Sequence, residues 1–153
     1  MPGADCWSHW DRLLQVDIGF GDTVTPAAEL IDYSVLLENM RPPRLGAYPV
    51  YMVIAEKLEA IIGLGMLNSR LKGYFDLQVF LAREQLDELV LAEVVRRTFS
   101  RRSTPLPQQV PLGLSNAFDD DQNKQAQWRV FLDRNSIPRV PLCLQCWLSF
   151  ARG

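Results

Sequence analysis

An aspartate stands inside an otherwise apolar, alternating stretch, in which Leu14, Val16, Ile18 and Phe20 alternate with Gln15, Asp17 and Gly19. A carboxylate carried on a strand is held rigidly at the open face of a sheet, which suits Mg2+ binding or activation of a hydroxyl nucleophile. The same pattern also describes the solvent side of a half-buried strand. Lys57 falls on the shoulder of an apolar helical stripe through Ile54, Leu58 and Ile61, with Glu56 and Glu59 on the far side. From there a lysine can reach past the core edge to a phosphate, or simply be solvated. The run Arg70-Leu71-Lys72-Gly73-Tyr74-Phe75-Asp76 adds two cations and a carboxylate. Lys72 and Asp76 share a helix face, so the plain reading is an intrahelical ion pair of about 0.2–0.5 kcal/mol. The sharper reading has the cations gripping a triphosphate while Asp76 orients them. Gly73 costs roughly 1 kcal/mol against alanine in a helix interior and reads as a departure from a better-adapted residue. Last, Arg96, Arg97, Arg101 and Arg102 surround Thr98-Phe99-Ser100. Such a cluster either contacts RNA phosphates or forms a solvated helix C-terminus, where the helix dipole favours cations.

Other chemistries have little to work with. The one histidine, His9, lies near the start beside two tryptophans, so a Ser-His-Asp or Cys-His pair would rest on that residue alone. Cys143 and Cys146 have C-x-x-C spacing, but a tetrahedral zinc site needs two further ligands, which only Cys6 and His9 offer. Flanked by Leu142, Leu144, Trp147 and Leu148, the pair reads as the buried side of a terminal helix, with zinc or redox chemistry as the alternative.

The elements that must position these residues follow from periodicity. Leu13 to Phe20 is a short strand, ended by the turn at Gly19-Phe20-Gly21-Asp22. Thr23 to Ala47, with Pro26, Pro42 and Pro43, is a connecting region with a short strand or helical turn around Ile31 to Leu37. A helix begins near Pro49 and stops near Gly63 or Gly65. A second, capped by Asn68 or Ser69, runs to about Arg83 with Leu71, Tyr74, Phe75, Leu77 and Leu81 inward. A third spans Gln85 to Ser100 with Leu86, Leu89, Val90, Val94 and Phe99 inward; a proline-rich connection through Pro105, Pro107 and Pro111 follows. A fourth covers about Asp121 to Asn135, marked by Trp128, Phe131 and Leu132, and a fifth is placed at Pro141 to Ala151.

With 153 residues, 48% of them apolar, the chain can build one real core, and a net charge of −2 implies no nucleic-acid partner by itself. Apolar stretches are broken by charges short of transmembrane length, and the start lacks the charged and apolar regions of a signal peptide. Three cysteines, an odd number, fit a reducing compartment. The expectation is a cytoplasmic protein without a membrane partner.

Five segments, in order, resemble one family. Val16-Asp17-Ile18-Gly19-Phe20-Gly21-Asp22 is similar to the DIGFGD segment of AbiEii-type nucleotidyltransferase toxins, the partners of AbiEi-type antitoxins. Ala47-Tyr48-Pro49 with Val53 to Ala60 resembles AYP…VIAEKLEA, and Asn68 to Lys72 with Tyr74 to Leu77 resembles NSRxKDxxDL. Thr98, Phe99, Arg102, Thr104 and Pro107 look like TFxxRxTxxP, and Trp128, Phe131, Leu132 and Arg134 look like WxxFLxR. The resemblance runs from about Gln15 to Arg134. It implies a nucleotidyltransferase-fold toxin that transfers a nucleotide from an NTP, with Mg2+, to an acceptor, which in related toxins is tRNA. By position it makes Asp17 the late carboxylate of the metal site, Lys57 a contact to the nucleotide phosphates, Arg70 and Lys72 their neighbours, and Asp76 the residue that completes the catalytic set.

The chain departs from this pattern in two ways. The family's early Gly-Ser and Asp-x-Asp are absent from Met1 to Arg12, and two-metal phosphoryl chemistry needs carboxylates to hold its ions. Gly73 stands where the family has the first aspartate of KDxxD, and Tyr51 where a glutamate is common. The expected architecture is α+β: remnant strands of a nucleotidyltransferase sheet over 1–45, then a predominantly helical C-terminal domain over 46–153. The expected function is a truncated nucleotidyltransferase, inactive alone, with a nucleotide- or antitoxin-binding module without catalysis as the alternative. An open sheet edge makes pairing into a homo-oligomer a further expectation.

Overall fold

A computed structural model describes residues 27–37 and 39–142. The strand expected around Asp17, His9, the three cysteines and nearly all of the helix expected at Pro141 to Ala151 lie outside the described residues. What is described is α+β: a two-stranded antiparallel sheet followed by helices.

The sheet is a hairpin of β1 (Glu29–Asp32) and β2 (Arg44–Ala47), paired Glu29 with Ala47 and Asp32 with Arg44. Its first strand overlaps the element expected at Ile31 to Leu37. The second follows directly on Pro42-Pro43, where the residues before and at proline favour extended backbone. The ribbon and its loop leave Leu30, Leu37 and Leu45 exposed, Leu30 to 66%.

Helix α1 (Val50–Leu64) starts after Pro49, whose φ of −57° leads into helical backbone, and ends at Gly65. Gly65 has φ 50° and ψ −128°, a conformation side chains with a Cβ avoid, so glycine is what allows the chain to leave the helix here. A single 3₁₀ turn, Gly65–Leu67, leads to Asn68, whose Oδ1 accepts from the Arg70 backbone N–H before α2 (Leu71–Arg83) begins. Helix α3 (Glu88–Arg101) is capped by Asp87, whose carboxylate accepts from the amides of Leu89 and Val90. That cap sets the start three residues later than expected. It also leaves Leu89 at 83% exposure, so the inward face is Val94, Thr98 and Phe99 and not Leu89 or Val90.

The proline-rich connection holds structure that the sequence did not suggest. A 3₁₀ turn (Leu112–Leu114) and the one-turn α4 (Asn116–Asp119) drive Phe118 into the core. Helix α5 (Gln122–Arg134), capped by Asp121, then buries Trp128 and Leu132.

α1 is gripped on two sides. Ile54 and Ile61 join Leu71, Tyr74 and Leu77 of α2, Phe118, Trp128 and Leu132 in the main core. Met52 and Ala55, on another face, pack against Val94 of α3. The side of α1 bearing Glu56 and Glu59 is therefore covered by a helix. Glu59 is buried there and accepts from Arg102 Nη1 at 2.8 Å and from Thr104 Oγ1 at 2.6 Å, while Arg101 reaches Glu56 at 3.2 Å. At the other end of the same helix pair, Tyr51 Oη accepts from the Asp87 amide at 3.1 Å.

Candidate functional site

Lys57 projects from the face of α1 that carries Ile54 and Ile61, toward the first turns of α2. Its Nζ donates to Asp76 Oδ2 at 2.7 Å, and Lys72 Nζ donates to the same oxygen at 2.7 Å. One carboxylate thus holds two ammonium groups from different helices. Each ammonium has three donors, so both retain donors for a second acceptor. Lys57 and Lys72 also line a cleft of about 940 Å³ together with Ser69, Arg70, Gly73 and residues of α5. Among the described residues the lining contains four cations, Lys57, Arg70, Lys72 and Arg134, and no aspartate or glutamate. In a chain with a net charge of −2, that is a local field directed at an anion.

The Asp76 carboxyl shows the balance. Burial by itself would raise its pKa, but the hydrogen bonds from Lys57 and Lys72, with the charges of both lysines, hold it below its ordinary value of 3.8. A carboxyl whose pKa is lower folded than unfolded contributes stability that is present above the unfolded value and is lost as pH falls through the folded one. Asp76→Asn is therefore expected to be less stable than the parent at pH 7. The gap should close as urea midpoints are followed below about pH 4, near the carboxylate range. A gap that stays constant down to pH 2 would contradict the assignment.

The sequence-derived residues divide as follows. Lys57, Lys72 and Asp76 come together, and Arg70 lines the same cleft. The i, i+4 ion pair of Lys72 and Asp76 is present, and Asp76 extends it to Lys57 across 19 positions. Asp17 lies outside the described residues. A Cβ added at Gly73 meets nothing within 4 Å, so the position beside Lys72 has room for a longer side chain.

The arginine cluster does not form a free cationic patch. Arg96 and Arg97 both bind Glu93, whose carboxyl is held below its ordinary pKa by the hydrogen bonds from Arg96 and then Arg97. Arg101 and Arg102 turn to Glu56 and Glu59. All four arginines have acidic partners on the protein itself, and the Arg102-x-Thr104 pair clasps Glu59.

The sequence reading also missed residues. Gln127, Val130 and Arg134 reach the cleft from α5. The signal available was the spacing Ala126, Val130, Arg134, which places one apolar-to-basic stripe on the face away from Trp128.

Mg2+, which nucleotidyltransferases generally use, can be tested against the described residues. No three His, Cys, Asp or Glu side chains converge among them as a ligand set. Asp76, the carboxylate beside the cleft among the described residues, already accepts from two ammonium groups. These residues fit an anion and do not fit the metal.

The fold is α+β, with a cleft whose described lining carries four cationic side chains. The model of a protein family described as nucleotidyl transferase AbiEii toxin, type IV toxin–antitoxin system, matches residues 10–141. That is most of the chain, and the chain belongs to the AbiEii nucleotidyl transferase toxin family. No curated protein and no solved structure matches it. Among the described residues no helix is long and apolar enough to cross a membrane.

Proposed function

We propose that this chain supplies the nucleotide-phosphate side of an AbiEii-type nucleotidyl transferase and does not transfer a nucleotide on its own. Lys57 is the principal phosphate contact, with Arg70 and Lys72 beside it, and Asp76 fixes both ammonium groups toward the cleft. Asp17 is the carboxylate assigned to Mg2+. The observation that carries this reading is the Lys57–Asp76–Lys72 triad at the edge of a cleft whose lining, among the described residues, holds cations and no carboxylate. Two-metal phosphoryl transfer stabilises its developing charge through ions held by several carboxylates, and Asp17 by itself is too few. The acceptor proposed for the complete reaction is tRNA, the setting is the cytoplasm, and residues 1–45 belong to the nucleotidyltransferase sheet to which the helical domain is attached.

The test is a transfer assay with the whole chain, Mg2+, each labelled NTP in turn and total tRNA, with Asp17→Ala and Lys57→Ala beside it. No label on RNA from a folded sample is expected. Label that both variants abolish would overturn the claim of inactivity and show that the chain assembles a working site.

A second reading, a nucleotide- or antitoxin-binding module without catalysis, is favoured by the β1–β2 ribbon. A two-stranded hairpin is marginal by itself in water, and Leu30, Leu37 and Leu45 stand exposed on or beside this one. They would suit an AbiEi-type antitoxin, or a second copy pairing edge to edge. A monomer whose mass is independent of concentration in sedimentation equilibrium would rule out the second copy.

A further inference from the structure

The phosphate reading uses the α1 and α2 side of the cleft and leaves its α5 wall without a role. On α5, Ala126, Gln127, Val130, Phe131 and Arg134 all line the cleft. At 100° per residue they fall on one face of the helix, away from Leu132. Val130 is half exposed there although apolar, and Phe131 is half-buried, stacked on Trp128 at 5.4 Å between centroids. Gln127 makes no side-chain hydrogen bond among the described residues, and Arg134 forms no ion pair among them. The cleft therefore combines a cationic end with an apolar, aromatic-backed wall carrying a free carboxamide. Its volume of about 940 Å³ is of the size that takes a small molecule.

An inorganic polyphosphate would engage only the cations. A molecule with a polyphosphate at one end and a flat, hydrogen-bonding ring at the other would engage both parts. We infer that the α5 wall receives the nucleoside of a nucleoside triphosphate, with Val130 and Phe131 against the face of the base. Gln127 pairs with the base edge, since a carboxamide both donates and accepts, and Arg134 is a further cation on the polyphosphate. The inference rests on Lys57 and Lys72 being phosphate contacts, and it places base selection on α5 instead of on the residues that grip the phosphates.

Isothermal titration of the whole chain with inorganic tripolyphosphate, and separately with each of the four ribonucleoside triphosphates, tests it. At least one nucleoside triphosphate is expected to bind about tenfold or more tighter than tripolyphosphate. Val130→Ser should bring that nucleotide toward the tripolyphosphate affinity while leaving tripolyphosphate binding unchanged. Arg134→Ala should weaken both ligands, and Gln127→Ala should narrow the differences among the four bases. All three side chains are exposed, so the variants keep the core intact. Equal binding of tripolyphosphate and every nucleotide overturns the inference and leaves the phosphate site standing. So does nucleotide binding that is unchanged in Val130→Ser and Arg134→Ala. Absence of tripolyphosphate binding, or binding indifferent to Lys57→Ala, overturns the phosphate reading and this inference with it.

Discussion

Replacing Trp128 by alanine is expected to lower the free energy of unfolding by about 3–5 kcal/mol, the range for removing a large aromatic side chain from a core. The indole is 2% exposed, stacks on Phe131 and donates from Nε1 to the Val140 carbonyl at 2.7 Å. Its loss opens a void between α5, α2 and Phe118 and strands a carbonyl. Small domains have about 5–15 kcal/mol to lose, so the variant should be close to unfolding at 37 °C. Trp128→Phe separates the two contributions. It keeps most of the ring and loses the hydrogen bond to a half-buried carbonyl, at a cost of about 0.5–1.5 kcal/mol. Urea denaturation followed by circular dichroism reads both, and a loss below about 1 kcal/mol for the alanine variant would mean that the α5 core is not packed as described. Because Phe131 lies under the same indole and lines the cleft, nucleotide binding should fall along with stability.

Gly113→Ala is expected to cost about 1–3 kcal/mol, the usual penalty for forcing atoms into a packed site. A Cβ at this position would lie 2.7 Å from the Ile61 carbonyl oxygen and 3.2 Å from the Tyr74 hydroxyl. The first contact is backbone of α1 and cannot swing aside. The second belongs to a buried phenol that donates to the Gly113 carbonyl at 2.9 Å. Burial, and then the nearby charge of Asp119, push that phenol's pKa up, so it remains a donor through the alkaline range. A double-mutant cycle with Tyr74→Phe checks the account. If the methyl acts by displacing the hydroxyl, the two losses should fall short of additivity by about 0.5 kcal/mol or more. Fully additive losses, or a neutral Gly113→Ala, would contradict it.

How far the sequence predicted this structure depended on what kind of signal each part left. α1, α2 and α5 were readable because their buried residues recur at helical spacing and their ends carry glycine, asparagine or aspartate with a specific job. α3 was readable as a helix but misjudged by face: Leu89 and Val90 look inward by type, yet the Asp87 cap puts them on the first, exposed turn. The turn and short helix around Gly113 and Phe118 left no periodic trace, because elements of three and four residues are too short to show one and the three prolines just before them suggest a bare loop. In the site, the Lys72–Asp76 pair follows from spacing, but Lys57 joins it only through the packing of α1 on α2, which periodicity cannot supply. The resemblance did supply it. Helical spacing puts Glu59 on the side of α1 away from the apolar stripe, as found, but cannot show what covers it, since Arg102 and Thr104 lie 43 and 45 positions away.

The clasp on Glu59 has a mechanical consequence for the cleft. Glu59 and Lys57 are two positions apart, so they leave α1 about 160° from one another at 3.6 residues per turn. A helix pinned on one side acts as a lever for the other. With side chains reaching about 5–6 Å from the axis, a roll of about 20° would swing the lysine tip by about 2 Å, and errors of about 1 Å already cost catalytic sites roughly a hundredfold. The arginine and threonine that follow α3 therefore set the angular zero of a residue they never touch. Their contribution to the cleft is aim: by holding Glu59 they fix the direction in which Lys57 leaves the helix.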